Sequence, residues 1–357
     1  MATLSRIFVW LLLQSLCVSS WSFLSPVQLP SHSHSTTTTT TTTTTHPNRP
    51  RDTHFQLSFA ASEESSTGMS ACDESTKAAF QGKRVLLTGA SGGLGAALAL
   101  ELAECRAETI VLSGRNKESL DAIANKCQEI YPDIQTVVLT CDLASKESVA
   151  ELGTKALDLC RGTTIDVLIN NGGVSSRSNF LDTQLEIDEK VMQINFFSGA
   201  SLAKALVPKM VEQKSGKIIW ISSVQGLVGI PSRTSYAASK FAVQGYCESL
   251  RAELASSGVT VHVASPGYIR TNLSLSAVTG DGTSYGKMDE TTANGADPKD
   301  VAVSVLNSVA ASQADFIVAA SFSAKLAIWL RLLWPSLLQR KLADRFVKSE
   351  SEKKKNE

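Results

Sequence analysis

The sequence predicts an α/β protein whose parallel sheet is doubly wound, with helices on both faces. Short apolar runs that fit buried strands alternate with longer segments that fit helices. A glycine-rich turn follows the first of these strands and opens a helix, and polar residues follow several of the others. Because ligands of such sheets bind outside the carboxyl ends of the strands, we expect a functional site at that edge.

Composition narrows the classes of function. The chain has 357 residues, of which 43% are hydrophobic and 19% charged, and its net charge is +0. This size fits one globular domain with extensions, or two small domains, and neutrality gives no support for binding nucleic acid. The 7 cysteines contain no C-x-x-C pair, so neither a metal site nor a redox motif is indicated. Of the 5 histidines, only His262 follows the N-terminal segment, so a Ser-His-Asp hydrolase would have almost no histidine to use as its base.

The N-terminal segment has the composition of a targeting signal. Residues 1–22 combine Arg6, a short apolar run and small residues, which indicates a signal peptide or an uncleaved anchor. Residues 23–78 are rich in Ser and Thr, with an unbroken threonine run, and are typical of a transit peptide. Together the two segments resemble the two-part presequence of proteins from algae with secondary plastids. The alternative is a low-complexity linker that carries no targeting signal. We expect the chain to about Thr76 to be disordered or removed.

A dinucleotide-binding turn is predicted after the first strand of the domain. An apolar strand ends at Leu87, and an Ala/Leu-rich helix follows the turn. Glycine is needed where the backbone takes positive φ or approaches a pyrophosphate, whose charge suits the amide groups at a helix N-terminus. The alternative is a glycine-rich turn that binds nothing. The turn consists of Thr88, Gly89, Ala90, Ser91, Gly92, Gly93, Leu94 and Gly95.

The end of the second strand favours NADP(H) over NAD(H). In NAD-selective sites an acid about 20 residues beyond the glycines binds the ribose 2′-hydroxyl. Here the strand that ends at Ser113 continues into Gly114 and Arg115, and no acid is present. Arg115 could pair with a 2′-phosphate, helped by Ser91 or Ser113. The alternative is an ordinary surface arginine at a helix start.

A tyrosine and a lysine follow the fifth predicted strand at helical spacing. The strand ends in Ser222-Ser223, and Ser235 is predicted to cap a helix in which Tyr236 and Lys240 share a face. An ammonium near a phenol favours the phenolate, so we expect Lys240 to lower the pKa of Tyr236 and make it a usable proton donor and acceptor. Ser223 could bind the same substrate oxygen. Taken alone, the spacing also fits a solvated helix face.

These motifs together resemble the active site of the short-chain dehydrogenase/reductase family, over about Lys83 to Ala320. The resemblance implies a Rossmann-type, mainly seven-stranded parallel sheet. It also implies cofactor contacts and, for Asn195, a kinked helix and a water leading to Lys240. Gly172 replaces the family's usual Ala, and Ser198 stands where a Gly is usual. The residues carried over by resemblance are Asp142, Leu143, Asn171, Gly172, Asn195, Pro266, Gly267, Ile269 and Thr271. The alternatives are that Asp142 only caps the helix beginning near Ser145 and that Asn195 is a mid-helix residue with no role.

Two C-terminal segments are predicted to shape the substrate cleft. Residues 273–296 are rich in Gly, Ser and Thr and indicate a mobile lid. Residues 321–357 form a tail in which Pro335 should kink or end an apolar, Trp-containing helix. With its flanking Arg and Lys residues, the tail could lie in a membrane interface. The alternative is a helix that covers the cleft or contacts a dimer partner.

The predicted function is an NADP(H)-dependent oxidoreductase that interconverts a carbonyl and a secondary alcohol. A non-enzymatic NADPH-binding sensor or scaffold, or an epimerase or dehydratase that uses the same tyrosine and lysine, is the alternative. Within the family, the run from Tyr236 through residues 268–274 and the Asp-Gly-x-x-Tyr-Gly sequence of the lid resemble the dehydrogenase/reductase member 7 subgroup, including member 7B. That resemblance implies an apolar or lipid-like substrate and an endoplasmic reticulum or peroxisomal membrane. That location competes with the plastid, and a homodimer or homotetramer is left open.

Overall fold

The computed structural model describes residues 71–159 and 164–356, with side chains up to residue 352. The predicted signal peptide or anchor and the Ser/Thr-rich segment up to residue 70 lie outside the described residues.

Seven parallel strands form one sheet, in the spatial order β3-β2-β1-β4-β5-β6-β7. The chain reverses its direction of travel across the sheet between β1 and β4, which places a crevice at their carboxyl ends. The predicted Rossmann-type, doubly wound fold is therefore confirmed. The strands are β1 (Arg84–Thr88), β2 (Thr109–Gly114), β3 (Gln135–Thr140), β4 (Val167–Asn170), β5 (Gly216–Ile221), β6 (Val259–Pro266) and β7 (Asp315–Val318).

Helices cover both faces of the sheet because successive strand residues point to opposite sides. In β1, Val85 and Leu87 enter one hydrophobic core and Leu86 enters the other. The first core receives α2 (Gly93–Glu104), α3 (Lys117–Ile130) and α9 (Pro298–Ala310). The second core receives α4 (Lys146–Leu159), α6 (Ser198–Glu212) and α7 (Thr234–Glu253).

A helix precedes the first strand. This helix, α1 (Glu74–Phe80), is capped by Asp73, whose carboxylate accepts a hydrogen bond from the Thr76 amide. Thr76 and Phe80 are fully buried, and the Thr76 hydroxyl donates to Asn307 Oδ1 at 2.7 Å. The packed domain thus begins earlier than residue 79, inside the segment that composition alone assigned to a disordered or removed leader.

The kinked helix expected around Asn195 runs from Leu185 to Glu212 and contains a π-helical turn. The parts are α5 (Leu185–Met192), the π turn Gln193–Phe197 and α6. Such turns interrupt the regular hydrogen-bond ladder and often lie at functional sites. Asn195 is at the centre of this one.

The helix that carries Tyr236 begins two residues earlier than predicted, at Thr234. Arg233 occupies the N-cap position of α7 without a side-chain capping bond, and Ser235 is inside the helix. The prediction that Ser235 caps the helix is therefore wrong. Ser235 is buried, which fits a small side chain packed in the first turn.

The lid and the tail complete the described chain. The lid contains one short helix, α8 (Glu290–Ala293), and its Val278 forms a bridge with Ser176 beyond β4. The tail forms α10 (Phe322–Leu333) and α11 (Pro335–Asn356), so Pro335 separates two helices as predicted. Within residues 71–159 and 164–356, none of the helices has the length and apolar character needed to span a bilayer.

Candidate active site

One cleft of about 390 Å³ lies along the carboxyl ends of the strands. It is lined by residues from the turns after β1, β2, β3, β4, β5 and β6, together with the lid. All but two of the residues predicted to bind cofactor or substrate line it. The two that do not are Thr88 and Asn195.

The glycine-rich turn forms one wall of the cleft because its glycines allow close backbone approach. A Cβ on Gly95 would lie 2.0 Å from the carbonyl oxygen of Gly89, so no other residue fits while the turn keeps its path. Gly93 has φ +56°, a left-handed conformation that favours glycine. A Cβ on Gly92 would meet nothing within 4 Å. The open space in front of this helix N-terminus fits the pyrophosphate of a dinucleotide.

The end of β2 presents a serine and an arginine to the cleft. The Ser113 hydroxyl is buried and has no hydrogen-bond partner among the described residues. Ser91 lies beside the strand end, with Oγ 3.2 Å from where a Cβ on Gly114 would be. Arg115 is exposed and lines the cleft. Of the described lining residues, Asp142 alone carries a carboxylate, so the acid typical of NAD-selective sites is absent from this strand end.

Asp142 and Leu143 follow β3 at the cleft wall. The Asp142 carboxylate accepts a hydrogen bond from the Ala144 amide, whereas Ser145 Oγ accepts from the Ser148 amide at 3.1 Å. Ser145 therefore caps α4, and Asp142 does not. A Cβ on Gly172 would lie 2.4 Å from Leu143 Cδ1, which explains how glycine accommodates the neighbouring leucine at this position.

Thr88 and Asn171 hold the turns after β1 and β4 together. The Thr88 hydroxyl accepts hydrogen bonds from the amides of Asn171 and Gly172, at 3.1 and 3.0 Å. Asn171 Nδ2 donates to the carbonyl oxygens of Thr88 and Gly89, at 3.0 and 3.2 Å. Thr88 thus holds the two turns together behind the cleft, and the cofactor contact that the resemblance implies for Asn171 stays a prediction.

Ser223, Tyr236 and Lys240 meet in the cleft. Ser223 follows β5, whereas Tyr236 and Lys240 lie one turn apart on α7. Lys240 Nζ donates to the carbonyl oxygen of Ile221 at 2.8 Å and lies 5.7 Å from the centre of the Tyr236 ring. All three side chains are buried at the inner end of a site that opens to solvent. The arrangement can present a hydroxyl and a phenol to one substrate oxygen, with an ammonium close to the phenol.

Burial has the largest effect on the pKa values of Tyr236 and Lys240. It raises the pKa of Tyr236, against a hydrogen bond with Ser223 and the positive charges of Arg233 and Arg177, which lower it. The expected lowering of this pKa is therefore wrong: the loss of hydration of the phenolate is the largest effect, and the charges that oppose it are those of Arg233 and Arg177 rather than Lys240. Burial also lowers the pKa of Lys240 to about 8.

Asn195 is close to Lys240 but does not line the cleft. Its Nδ2 donates to Val174 O and Ser239 Oγ, both at 2.9 Å, and its Oδ1 accepts from the Val174 amide at 2.8 Å. The π turn therefore fastens α5 and α6 to the strand end beyond β4 and to α7. The predicted role of Asn195 in holding a water stays a prediction.

The turn after β6 forms the opposite wall. Pro266 ends the strand, and a Cβ on Gly267 would lie 2.3 Å from the carbonyl oxygen of Ala319. Ile269 bridges to Ala296, and Thr271 contacts the glycine-rich turn, with Cγ2 3.1 Å from where a Cβ on Gly93 would be. This wall therefore closes on the pyrophosphate side of the cleft.

A group of charged residues beside Tyr236 was not predicted. Arg177 and Arg233 both line the cleft and share the carboxylate of Asp289 from the lid. Arg233 lies only three positions before Tyr236, a signal that could have found it. Nothing local in the sequence joins Arg177 to Asp289, which is 112 residues away along the chain.

Comparisons with known proteins agree with this geometry. The model of the short chain dehydrogenase family matches residues 83–281. The chain is 44% identical over 279 residues to a dehydrogenase/reductase SDR family protein 7-like of Drosophila melanogaster, covering 77% of this chain and 84% of that protein. It is 43% identical over 270 residues to dehydrogenase/reductase SDR family member 7B of Danio rerio, covering 74% and 86%.

Solved structures share the fold. A short-chain dehydrogenase from Sphingobium yanoikuyae in complex with NADPH is 25% identical, with a TM-score of 0.59 over 75% of this chain and 95% of that one. A short-chain dehydrogenase/reductase from Burkholderia phymatum in complex with NAD has a TM-score of 0.63 over 72% and 95%, at 21% identity, and supports the fold alone. Together with the family match over most of the domain and relatives above 40% identity, these likenesses show that the chain belongs to the short-chain dehydrogenase family of oxidoreductases.

Proposed function

We propose that the protein is an NADP(H)-dependent oxidoreductase that interconverts a carbonyl and a secondary alcohol on an apolar or lipid-like substrate. One observation supports this most directly: Ser223, Tyr236 and Lys240 lie in the same cleft as a glycine-rich helix N-terminus. Val224 and Leu273 give that cleft apolar surface from the catalytic loop and the lid.

The choice of NADP(H) rests on the end of β2. A 2′-phosphate there would meet the guanidinium of Arg115 and the hydroxyls of Ser91 and Ser113, and the end of β2 itself carries no carboxylate. The unpartnered Ser113 hydroxyl fits an acceptor from the ligand. The Sphingobium yanoikuyae relative, which was solved with NADPH, is consistent with this choice.

The mechanism follows from where charge develops. A bound nicotinamide supplies or accepts the hydride. As a carbonyl is reduced, its oxygen gains negative charge, which hydrogen bonds from Ser223 and Tyr236 stabilise. Tyr236 then gives up its proton, and the Lys240 ammonium stabilises the tyrosinate that forms. Because burial raises the pKa of Tyr236, the phenol keeps its proton until the substrate oxygen takes it.

The alternatives differ in what they need from the chain. A non-enzymatic sensor or scaffold needs the glycine-rich half and has no use for a buried Ser-Tyr-Lys group. An epimerase or dehydratase would also use Tyr236 and Lys240, but it returns the hydride to its substrate and consumes no cofactor. Steady oxidation of NADPH with any ketone separates the proposed function from both.

The decisive experiment measures NADPH oxidation against a panel of ketones, aldehydes and lipid carbonyls. Tyr236→Phe should lower kcat by about 10²–10⁴-fold, since it removes the proton donor. NADPH affinity should stay nearly unchanged, because the phenyl ring preserves the wall of the cleft. A variant with near wild-type turnover would refute the assignment.

We also propose that the tail contacts a membrane surface. Ile328 and Leu338 pack against Val228, whereas an apolar set on the same two helices is exposed. Arg340, Lys341 and Arg345 follow on α11, the mixture that favours an anionic interface. The exposed set includes Phe322, Leu326, Leu332 and Leu333 on α10, Trp334 between the two helices, and Leu337 and Val347 on α11.

Vesicle binding tests the tail. Leu332→Asp should weaken co-sedimentation with anionic vesicles, whereas Leu181→Asp, at an exposed leucine beyond β4, should not. An equal loss of vesicle binding in both variants, or no loss in either, would contradict the proposal. Whether the N-terminal segment then directs the protein to a plastid or to the endoplasmic reticulum is tested by imaging fusions with and without residues 1–70.

A further inference from the structure

Two arginines of the cleft wall share one carboxylate, Asp289, which comes from the lid and lies behind that wall. Arg177 Nε donates to Asp289 Oδ2 at 2.8 Å, and Arg233 Nη2 donates to the same oxygen at 3.2 Å. The side chains are 8%, 13% and 17% exposed for Arg177, Arg233 and Asp289. Buried charges need partners, yet one carboxylate balances only one of the two guanidinium groups. A positive charge is left over in the cleft.

The uncompensated charge faces the catalytic phenol. Arg233 lies at the start of α7, three positions before Tyr236, and Arg177 lies in the turn after β4. A positive charge close to a phenol favours its ionised form. Burial raises the pKa of Tyr236, and the hydrogen bond with Ser223, then Arg233 and Arg177, lower it, while Tyr268 raises it. Lys240 also faces the ring, with Nζ 5.7 Å from its centre.

Arg177 also holds the lid in place. The Arg177 amide donates to Val278 O at 2.9 Å, and the Arg177 guanidinium lies 5.9 Å from the centre of the Tyr285 ring. The Ser274 hydroxyl donates to Asp289 Oδ2 at 3.3 Å. Asp289 is therefore held on the arginines by several lid contacts, and its charge is present beside them only while the lid is seated.

Resting on the proposed function, we propose that Asp289 is a positioning residue: its carboxylate holds Arg177 and Arg233 against the lid and thereby limits the positive charge that faces Tyr236. The lid then does more than close the cleft, because seating it changes the electrostatic environment of the proton donor. Asp289 itself does not line the cleft.

Asp289→Asn tests this, because the amide keeps the shape and loses the charge. With both guanidinium groups uncompensated, the pH at which Tyr236 ionises should fall by about one unit. The first measurement is the ultraviolet absorbance of tyrosinate against pH, with each protein corrected by its Tyr236→Phe partner. The second is the pH dependence of kcat/KM for alcohol oxidation, whose rise should move to lower pH by the same amount.

The matched control is Asp281→Asn. Asp281 is a lid carboxylate that accepts hydrogen bonds from Thr279 and Thr283 and contacts neither arginine. This variant loosens a turn of the lid without changing the charge beside Tyr236, so its titration should stay at the wild-type position. If Asp289→Asn lowers kcat or raises KM as Asp281→Asn does and its titration does not move, Asp289 is only structural and the proposal is overturned.

Two further variants keep the test decisive. Adding Arg233→Met to Asp289→Asn should return the titration towards wild type, because it removes the excess charge. Should Asp289→Asn fail to fold, Arg233→Met alone must raise the titration pH, and an unmoved titration overturns the proposal. The absorbance measurement needs no turnover, so a failure of the proposed oxidoreductase activity would be seen separately.

Discussion

The glycine-rich turn and the lid meet at one cleft but are determined in different ways. In the turn, backbone geometry dictates the residues: a Cβ on Gly95 would overlap the carbonyl oxygen of Gly89. In the lid, side-chain contacts determine the structure: Asp289 forms ion pairs with two arginines from other elements. A backbone constraint is visible in a short stretch of sequence, whereas a contact between distant side chains is not. Nucleotide binding is therefore the more predictable half of the site.

The largest effect expected from breaking the backbone-determined half comes from Gly95→Ala. The added methyl would lie 2.0 Å from Gly89 O, so the turn or α2 must shift. We expect at least a tenfold loss of NADPH affinity and a free energy of unfolding lower by about 1–3 kcal/mol. Isothermal titration and denaturant unfolding measure the two quantities.

The matched control is Gly245→Ala on α7, where a Cβ would meet nothing within 4 Å. This change should be neutral or stabilise the protein by up to about 1 kcal/mol, because alanine favours a helix. Equal effects of the two substitutions would show that the turn is not constrained as described.

A smaller effect is expected at the end of β2, where we propose that a side chain sets the preference for NADPH over NADH. Arg115→Asp should reduce the preference for NADPH over NADH, measured as the ratio of kcat/KM values, by at least about tenfold, which corresponds to roughly 1.4 kcal/mol. Lys126→Asp, an exposed change on α3 away from the cleft, controls for net charge. A preference that survives Arg115→Asp would overturn the assignment of NADP(H).

The smallest effect is expected from Gly172→Ala, which restores the residue usual in the family. The methyl would lie 2.4 Å from Leu143 Cδ1, the end of a flexible side chain that can rotate away. NADPH affinity should change by less than about threefold, below roughly 0.7 kcal/mol. A large loss would mean that Leu143 is fixed, and the backbone-determined part of the cleft would extend further than the glycine-rich turn.

Sequence reasoning predicted the strands, the turn and the meeting of Ser223, Tyr236 and Lys240, because strand ends of a parallel sheet share one edge. It gave the wrong direction for the pKa of Tyr236, since helical spacing shows a nearby ammonium but not the extent of burial. It placed the helix cap at Ser235 because a serine is a good cap, although the chain enters the helix at Thr234. It missed α1, whose burial depends on the distant Asn307.

The packing of Val228 against Ile328 and Leu338 has a practical consequence for experiments on shortened proteins. Val228 lies in the loop that leads from Ser223 to the tyrosine helix, so the tail supports that loop from behind. A chain cut at residue 320 would expose this apolar cluster and release the segment between the serine and the phenol. Reduced turnover in such a truncation would therefore report a loosened loop between Ser223 and Tyr236 and would say nothing about lipid. Single substitutions on the outer surface of the tail are the cleaner way to ask what the tail touches.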